Sequence, residues 1–274
     1  MDSRSNALTD LRRRSYAALV AGAREAHPGV EYDEKGYACQ WQENVLDGMP
    51  ITSIAEDFGS GAGRELDKKL CAAHSSAALV INAFGRWRAR PESLRVAGVA
   101  GFRNLRFEMT FPTGLGGTPP HLDLFADGDS IVAVESKCTE WMDSKPALFS
   151  NSYDRLLGSL GDSVWFDVMR ELRAKPDRYL FLDAAQLVKH AFGLLKRFGS
   201  REIRLVYLYW EPVNEHDWPE CRRHCGEAEE LARMVASSSV RLIPMSYQEL
   251  WEEWELAGSP SHLPLLKKRY SRTV

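Results

Sequence analysis

The segment that most constrains the fold is the apolar run at residues 203–210, with the sequence IRLVYLYW. Alternate side chains of a β-strand point to opposite faces, so a strand with one solvated face shows alternating polar residues. Only Arg204 is charged in this run, and both faces of such a strand therefore need apolar cover. We expect a central strand that lies between two layers of helices.

Three further segments with strand character lie upstream, at 104–111, 121–126 and 131–138. A turn signal, Asp-Gly-Asp, separates the last two and predicts an antiparallel three-strand meander. A shorter strand is expected at 240–243. Helical spacing of apolar residues predicts helices at 8–26, 64–84 and 183–198, and a last helix that carries Tyr247, Leu250, Trp251 and Trp254. This order predicts an α/β fold with a mixed central sheet flanked by helices.

The length, composition and cysteine content favour an ordinary globular chain in a reducing compartment. With 44% apolar and 10% aromatic residues, 274 residues suffice for a large buried core. The five cysteines are scattered and odd in number, which argues against disulfides and predicts a cytoplasmic protein. The apolar stretch at 16–20 is too short to span a membrane, so no membrane association is expected. A formal charge of −3 leaves contacts with nucleic acid to local basic groups.

The motifs disfavour three other kinds of site. The glycine run at 59–63 lacks the Gly-Lys-Ser/Thr ending of a P-loop and reads as a flexible start to the 64–84 helix. Cys221, His224 and Cys225 offer three zinc ligands without a fourth at matching spacing. No Gly-x-Ser-x-Gly sequence occurs, which disfavours a serine hydrolase.

The feature that carries chemistry is the hairpin formed by the last two strands of the meander. Glu135 and Lys137 point to one face of their strand, while their neighbours point to the other. If the turn is centred on Gly128-Asp129, Asp123 lies opposite Glu135. An ammonium within about 4 to 6 Å also favours the ionised, ligating form of the carboxylates. Carboxylates are ligands that Mg²⁺ prefers, and phosphodiester hydrolysis uses such an ion to stabilise charge and activate water. The hairpin therefore predicts a divalent-cation site.

The order of Asp123, a hairpin and Glu135-x-Lys137, after a long helix with an acid at its start, resembles the PD-(D/E)XK nuclease superfamily. The resemblance covers residues 59–255, and its first motif is Pro-His-Leu-Asp in place of an adjacent Pro-Asp. It implies a restriction-endonuclease-like fold. It also implies that Asp123, Glu135 and the backbone carbonyl of Ser136 bind Mg²⁺, or Mn²⁺ as a substitute. Lys137 would position or activate the attacking water.

Two other positions resemble the RecB-like branch of this superfamily. Glu65, near the start of the 64–84 helix, resembles a helical glutamate that completes the metal site, and Lys69 lies one turn later on the same face. The alternative for Glu65 is a first-turn acid that the helix dipole favours. Gln186 begins a Gln-x-x-x-His190 sequence similar to a Gln-x-x-x-Tyr motif whose side chains face the active site. A hydrogen-bonded pair at the margin of the core explains Gln186 and His190 equally well.

These features predict a metal-dependent nuclease that hydrolyses phosphodiester bonds, with DNA preferred to RNA on the resemblance alone. The alternative is a catalytically inactive nuclease-fold protein that binds nucleic acid or a protein partner. Cleavage of both strands by a single-site nuclease would favour a homodimer. Candidate phosphate contacts, each of which could equally be a solvated surface group, are Arg64, Arg86, Arg88, Lys145 and Lys189.

The chain divides into three expected segments. Residues 1–58 form a helical N-terminal extension, 59–255 a PD-(D/E)XK nuclease-like catalytic core, and 256–274 a basic C-terminal tail. The basic end, which carries Lys267, Lys268 and Arg269, is expected to be mobile.

Overall fold

The computed structural model describes residues 3–59, 68–115, 119–143, 145–160 and 163–274. At its centre is a five-stranded sheet in the order β1-β2-β3-β4-β5. The first three strands pair antiparallel as the expected meander, and β4 and β5 add in parallel. The strands are β1 Phe102–Thr110, β2 His121–Gly128, β3 Ile131–Lys137, β4 Ile203–Tyr209 and β5 Val240–Ser246. This mixed sheet flanked by helices confirms the predicted α/β class.

Helices cover the sheet and connect its parallel strands. The α-helices are α1 Ser3–Ala26, α2 Ile51–Gly59, α3 Ser76–Phe84, α4 Val164–Ala174, α5 Ala184–Phe198, α6 Pro219–Met234, α7 Tyr247–Leu256 and α8 Leu263–Tyr270. The chain passes from β3 to β4 through α4 and α5, and from β4 to β5 through α6. Asp183 caps α5 by accepting a hydrogen bond from the N–H of Gln186 at 3.0 Å. Within the described ranges, no helix has the length and apolar character needed to cross a membrane.

The apolar cover expected for residues 203–210 is present on both faces of β4. Val206 and Leu208 pack into a cluster shared with α1, α3, α7 and α8, which we call the α1 layer. Leu205 and Tyr207 pack into a cluster shared with α4, α5 and α6, which we call the α5 layer. Burying one such side chain contributes about 1.5–3 kcal/mol, so the two layers fix the strands firmly.

The continuous helix expected at 64–84 is wrong, because residues 71–75 leave the helical path before α3 begins. The backbone turns there to pair with the N-terminal segment. The N–H of Ala73 donates to the carbonyl of Gly36 at 2.8 Å. Ser75 then caps α3 through its hydroxyl oxygen. Tertiary hydrogen bonds thus override a helical pattern in the sequence.

The basic end of the chain is not the mobile tail that we expected. α8 lies against α1, and its residues Leu263, Leu266 and Tyr270 are buried. Gly22 of α1 permits this close approach, since a Cβ there would lie 2.0 Å from the carbonyl oxygen of Arg269. Both ends of the chain therefore pack in the α1 layer. The division of the chain into three segments stays a prediction.

A buried polar network around Asn44 joins the two ends of the chain. The side-chain amide of Asn44 donates to the carbonyls of Leu70 at 2.7 Å and Ala72 at 2.8 Å. Its side-chain oxygen accepts from the hydroxyl of Tyr32 at 3.0 Å and from the guanidinium of Arg269. Asn44 and Arg269 are fully buried, so water cannot replace a lost partner.

We predict that Asn44→Leu lowers the free energy of unfolding by about 3 kcal/mol, because it leaves two carbonyls and a guanidinium without their partner. Urea unfolding followed by circular dichroism measures the loss. Gln42→Ala, an exposed change on the same turn, is the control and should cost less than about 0.5 kcal/mol. Equal effects of the two substitutions would contradict a structural role for the network.

Candidate active site

The register of the β2–β3 hairpin brings the two predicted acids together. Leu124 pairs with Val134. One further step along the same antiparallel register sets Asp123 opposite Glu135. The observed register agrees with the predicted placement of Asp123 opposite Glu135, but the turn is centred on Asp129 and not on Gly128-Asp129. Glu135 is only 2% exposed.

β1 contributes a third carboxylate, Glu108, which was not predicted from the sequence. The pairs on either side of it in the β1–β2 register set Glu108 opposite Asp123. Glu108, Asp123 and Glu135 therefore form a row across three neighbouring strands, which we call the acid row. Glu108 has a φ of +52°, a left-handed conformation that is costly for a residue with a Cβ.

Side-chain alternation is broken where the acid row crosses β1 and β2. Phe107 packs in the α1 layer but Met109 packs against the α5 layer, although residues two apart in a strand normally share a face. Leu124 and Leu122 likewise lie in different layers. The change of face falls at Glu108 on one strand and at Asp123 on the other. Both acids thus sit where the regular pleat is interrupted.

Glu135 is held by two partners, one on each oxygen. The ammonium of Lys137 lies 2.5 Å from Oε1, and Nε2 of His190 donates to Oε2 at 2.8 Å. Lys137 also donates to the side-chain oxygen of Gln186 at 2.9 Å. Gln186 and His190 lie one turn apart on α5, and each bonds to a residue of β3. The structure therefore brings His190, whose place was in doubt, into contact with the acid row.

Opposing effects set the charge state of the Glu135–Lys137 pair. Burial raises the pKa of the Glu135 carboxyl, but Lys137 and His190 outweigh it and lower the pKa to about 2. Burial lowers the pKa of the Lys137 ammonium, but the Glu135 and Asp123 carboxylates outweigh it and raise the pKa. Glu135 and Lys137 are therefore a buried ion pair at neutral pH.

The other two acids respond differently. Burial, together with the Glu135 and Glu108 charges, raises the pKa of Asp123 well above its usual range. Burial and the Glu135 charge raise the pKa of Glu108 to about 7. Lys137 thus lowers the pKa of both predicted carboxyls, as expected, but at Asp123 the opposing effects outweigh it. One ammonium does not offset burial plus two like charges.

The acid row is therefore short of positive charge. A divalent cation would supply it, and carboxylate oxygens are the donors that Mg²⁺ and Mn²⁺ take. The donor chemistry of the row thus fits such an ion. Among the residues that the structure describes, no three ligand-type side chains converge closely enough to hold a metal, so metal binding stays a prediction.

The structure describes Ser136 but does not describe the predicted helical glutamate. The hydroxyl of Ser136 points away from the acid row to that of Tyr247, at 2.8 Å, and its N–H donates to Oδ2 of Asp123 at 2.6 Å. Glu65 and Arg64 lie outside the described residues. Lys69 is described, and its charge lowers the pKa of Glu108. Nδ1 of His121 lies 3.3 Å from a carboxylate oxygen of the same Glu108.

Several of the predicted phosphate contacts have structural partners. Arg88 forms an ion pair with Asp57, with Nη2 and Oδ1 3.0 Å apart. Arg86 donates to the carbonyl of Asp47. The ammonium of Lys189 lies 5.5 Å from the centre of the Phe149 ring. Lys145 is exposed.

The Cys-x-x-His-Cys sequence is part of the core. His224 is buried and stacks on Trp141, with 4.4 Å between ring centres. Nε2 of His224 lies 2.8 Å from the hydroxyl of Tyr207. Burial lowers the pKa of His224 to about 3, so the ring is neutral. Aromatic packing explains this histidine without zinc.

Residues 13–271 match the family described as Restriction Endonuclease associating with ARP. The chain belongs to this family. The match includes the whole acid row together with Lys137, Gln186 and His190. Membership in a restriction-endonuclease family indicates a nuclease-like function and binding of nucleic acid. Comparisons with curated proteins and with solved structures gave no match.

For this member of the restriction-endonuclease family, we predict that Glu108→Gln stabilises the metal-free protein at alkaline pH. The pKa of Glu108 rises from 4.5 to about 7 on folding, so the folded chain binds more protons between these values and loses stability as the pH rises. Glutamine cannot ionise. In EDTA, the free energy of unfolding of the variant should exceed that of the wild type by about 3 kcal/mol at pH 8 and by little at pH 4.5.

Urea unfolding at a series of pH values measures this difference. Glu92→Gln, at an exposed site, is the matched control and should leave the pH profile unchanged. If the free energies of unfolding of the wild type and of Glu108→Gln change in parallel with pH, folding does not raise the pKa of the Glu108 carboxyl.

Proposed function

We propose that the chain is a metal-dependent nuclease of the PD-(D/E)XK superfamily, of its RecB-like branch, that hydrolyses phosphodiester bonds. The observation that carries this proposal is the acid row of Glu108, Asp123 and Glu135 with Lys137 bonded to its last member. Burial of carboxylates is costly unless the arrangement serves a partner of opposite charge. Membership of the restriction-endonuclease family agrees with this reading.

Asp123 and Glu135 would hold the ion, together with the backbone carbonyl of Ser136. Glu108 is a further candidate ligand from the structure, and Glu65 remains one from the sequence. A bound Mg²⁺ or Mn²⁺ supplies charge stabilisation for phosphate oxygens and lowers the pKa of water. Asp123 and Glu108 must lose their protons to bind it, so we expect binding to strengthen as the pH rises.

The remaining residues orient the ion pair. Gln186 and Glu135 hold the Lys137 ammonium between them, at 2.9 Å and 2.5 Å. In this position the ammonium would bind a phosphate oxygen or orient the attacking water. His190 fixes the second oxygen of Glu135 and is thus a positioning residue. Two bonded neighbours hold the lysine in one place, which electrostatic catalysis requires.

DNA is the proposed substrate, because the family is described as one of restriction endonucleases. We propose endonucleolytic cleavage for the same reason. A homodimer would place two such sites on one duplex. The rival function is a binding protein with an inactive centre, and the following experiments separate the two.

We predict that Asp123→Asn abolishes binding of Mn²⁺ measured by titration calorimetry, and abolishes nicking of a supercoiled plasmid. The substitution keeps the shape of the side chain and removes the charge. Because burial disfavours an ionised Asp123, the variant should fold at least as stably as the wild type. Asp129→Asn, on the exposed turn of the same hairpin, is the control and should bind and nick normally.

Two results would contradict the proposal. A wild-type protein that releases no heat with Mn²⁺ and cleaves no DNA or RNA is not a metal-dependent nuclease. Normal Mn²⁺ binding by Asp123→Asn would remove Asp123 from the metal site.

We predict that Lys137→Met retains Mn²⁺ binding but lowers the nicking rate at least about hundredfold, because the ammonium acts on the substrate. Calorimetry and plasmid nicking measure the two effects. Lys175→Met, at an exposed position on the α5-layer side, is the control. A nicking rate within threefold of the wild type would show that Lys137 serves only to hold Glu135.

A further inference from the structure

We propose that a groove beside α1 binds single-stranded nucleic acid and delivers it to the acid row; this rests on the proposed function. The groove has a volume of about 620 Å³. Its lining includes three aromatic rings and three cations, and we call it the Tyr16 groove. These residues are Arg13, Tyr16, Arg24, Lys35, Tyr37 and His74.

The rings form a partly exposed aromatic surface, in which the plane of Tyr37 is perpendicular to that of His74. Tyr16 and His74 are stacked with their ring centres 4.1 Å apart, and Tyr37 meets His74 edge-on at 5.9 Å. All three side chains are half-buried. Burial lowers the pKa of His74, so at neutral pH it is an uncharged ring. Such a surface is suited to stacking of unpaired bases.

The cations surround the rings. Arg13, Arg24 and Lys35 are exposed, and Glu34 is the acidic residue in the lining, so the charges of the lining residues alone sum to +2 (three minus one). The whole chain carries −3. Arg13 pairs with Asp10 on the helix surface, and such exposed pairs exchange readily for a phosphate. Basic groups around stacking rings are the pattern of proteins that bind single strands.

The groove lies beside the end of β3 that carries the acid row. The side chain of Tyr16 lies close to that of Thr139, two residues after Lys137. The charge of Glu140 reaches His74, and it also reaches Lys137. The Tyr16 groove therefore lies near the carboxyl end of β3, the end at which Glu135 and Lys137 stand.

A duplex fits this surface less well than a single strand. In a duplex the bases stack on each other, so their faces are closed to protein rings. Rings that lie inside a groove are useful only to bases that have left the stack. DNA and RNA single strands share this chemistry.

Fluorescence anisotropy in EDTA tests binding apart from cleavage. The probes are one labelled deoxyoligonucleotide, its ribo-equivalent and its duplex. Arg24→Glu/Lys35→Glu should weaken binding of the single strands at least about tenfold and reduce the salt dependence. Tyr37→Leu should weaken single strands at least about threefold more than the duplex. Unequal effects on the two single strands would identify the preferred sugar.

The matched control is Arg201→Glu/Arg233→Glu, which changes the net charge equally. Arg201 precedes β4 and Arg233 lies at the end of α6 before β5, so both are at the end of the parallel strands opposite Lys137. This variant should bind within twofold of the wild type. A wild type that binds duplex but not single strands, or groove variants that bind like the control, would overturn the proposal.

The outcomes separate this proposal from the proposed nuclease. Groove-dependent binding of single strands by a protein that never cleaves would retain the groove and reject the nuclease. Cleavage that depends on Asp123, with groove variants that bind normally, would retain the nuclease and reject the groove.

Discussion

The pairing of Leu124 with Val134 is the constraint on which the candidate site depends. Side chains alternate along a strand, so a slip of one residue would turn Glu135 and Lys137 to the wrong face. In the observed register, Asp123 reaches the N–H of Ser136, and Glu135 reaches His190 on α5. One hairpin thus decides which helix completes the site.

Three neighbouring carboxylates, of which Glu135 is buried and Glu108 and Asp123 are half-buried, need strong support from the rest of the fold. Both faces of the neighbouring β4 are packed, and the buried Asn44 network ties the ends of the chain to the α1 layer. The strands under the acid row therefore cannot easily separate to let water relieve the charge. The same rigidity would hold the carboxylates ready for a cation, since ligands already in place lose little entropy on binding. The packing that stabilises the sheet thus also keeps the like-charged carboxylates close together.

Local patterns made much of the fold predictable, and long-range contacts limited the rest. The hairpin register followed from its turn, and the cover on β4 followed from its composition. Glu108 was not predicted, because its left-handed backbone breaks the side-chain alternation from which the faces of a strand are predicted. The 64–84 helix failed at 71–75, where the backbone pairs with a segment more than thirty residues away. His190 was uncertain because its partner Glu135 lies 55 positions away along the chain.

The contact of α1 with α8 has a consequence for synthesis of the protein. His27 and Arg269 touch across a separation of 242 residues. A nascent chain therefore carries α1, with the apolar side chains Leu11 and Leu19, long before the helix that covers it exists. Contacts of such high sequence separation form late, and uncovered apolar helices attract chaperones. Synthesis must thus proceed through α8 before the α1 layer can close, which delays assembly of the proposed nuclease centre.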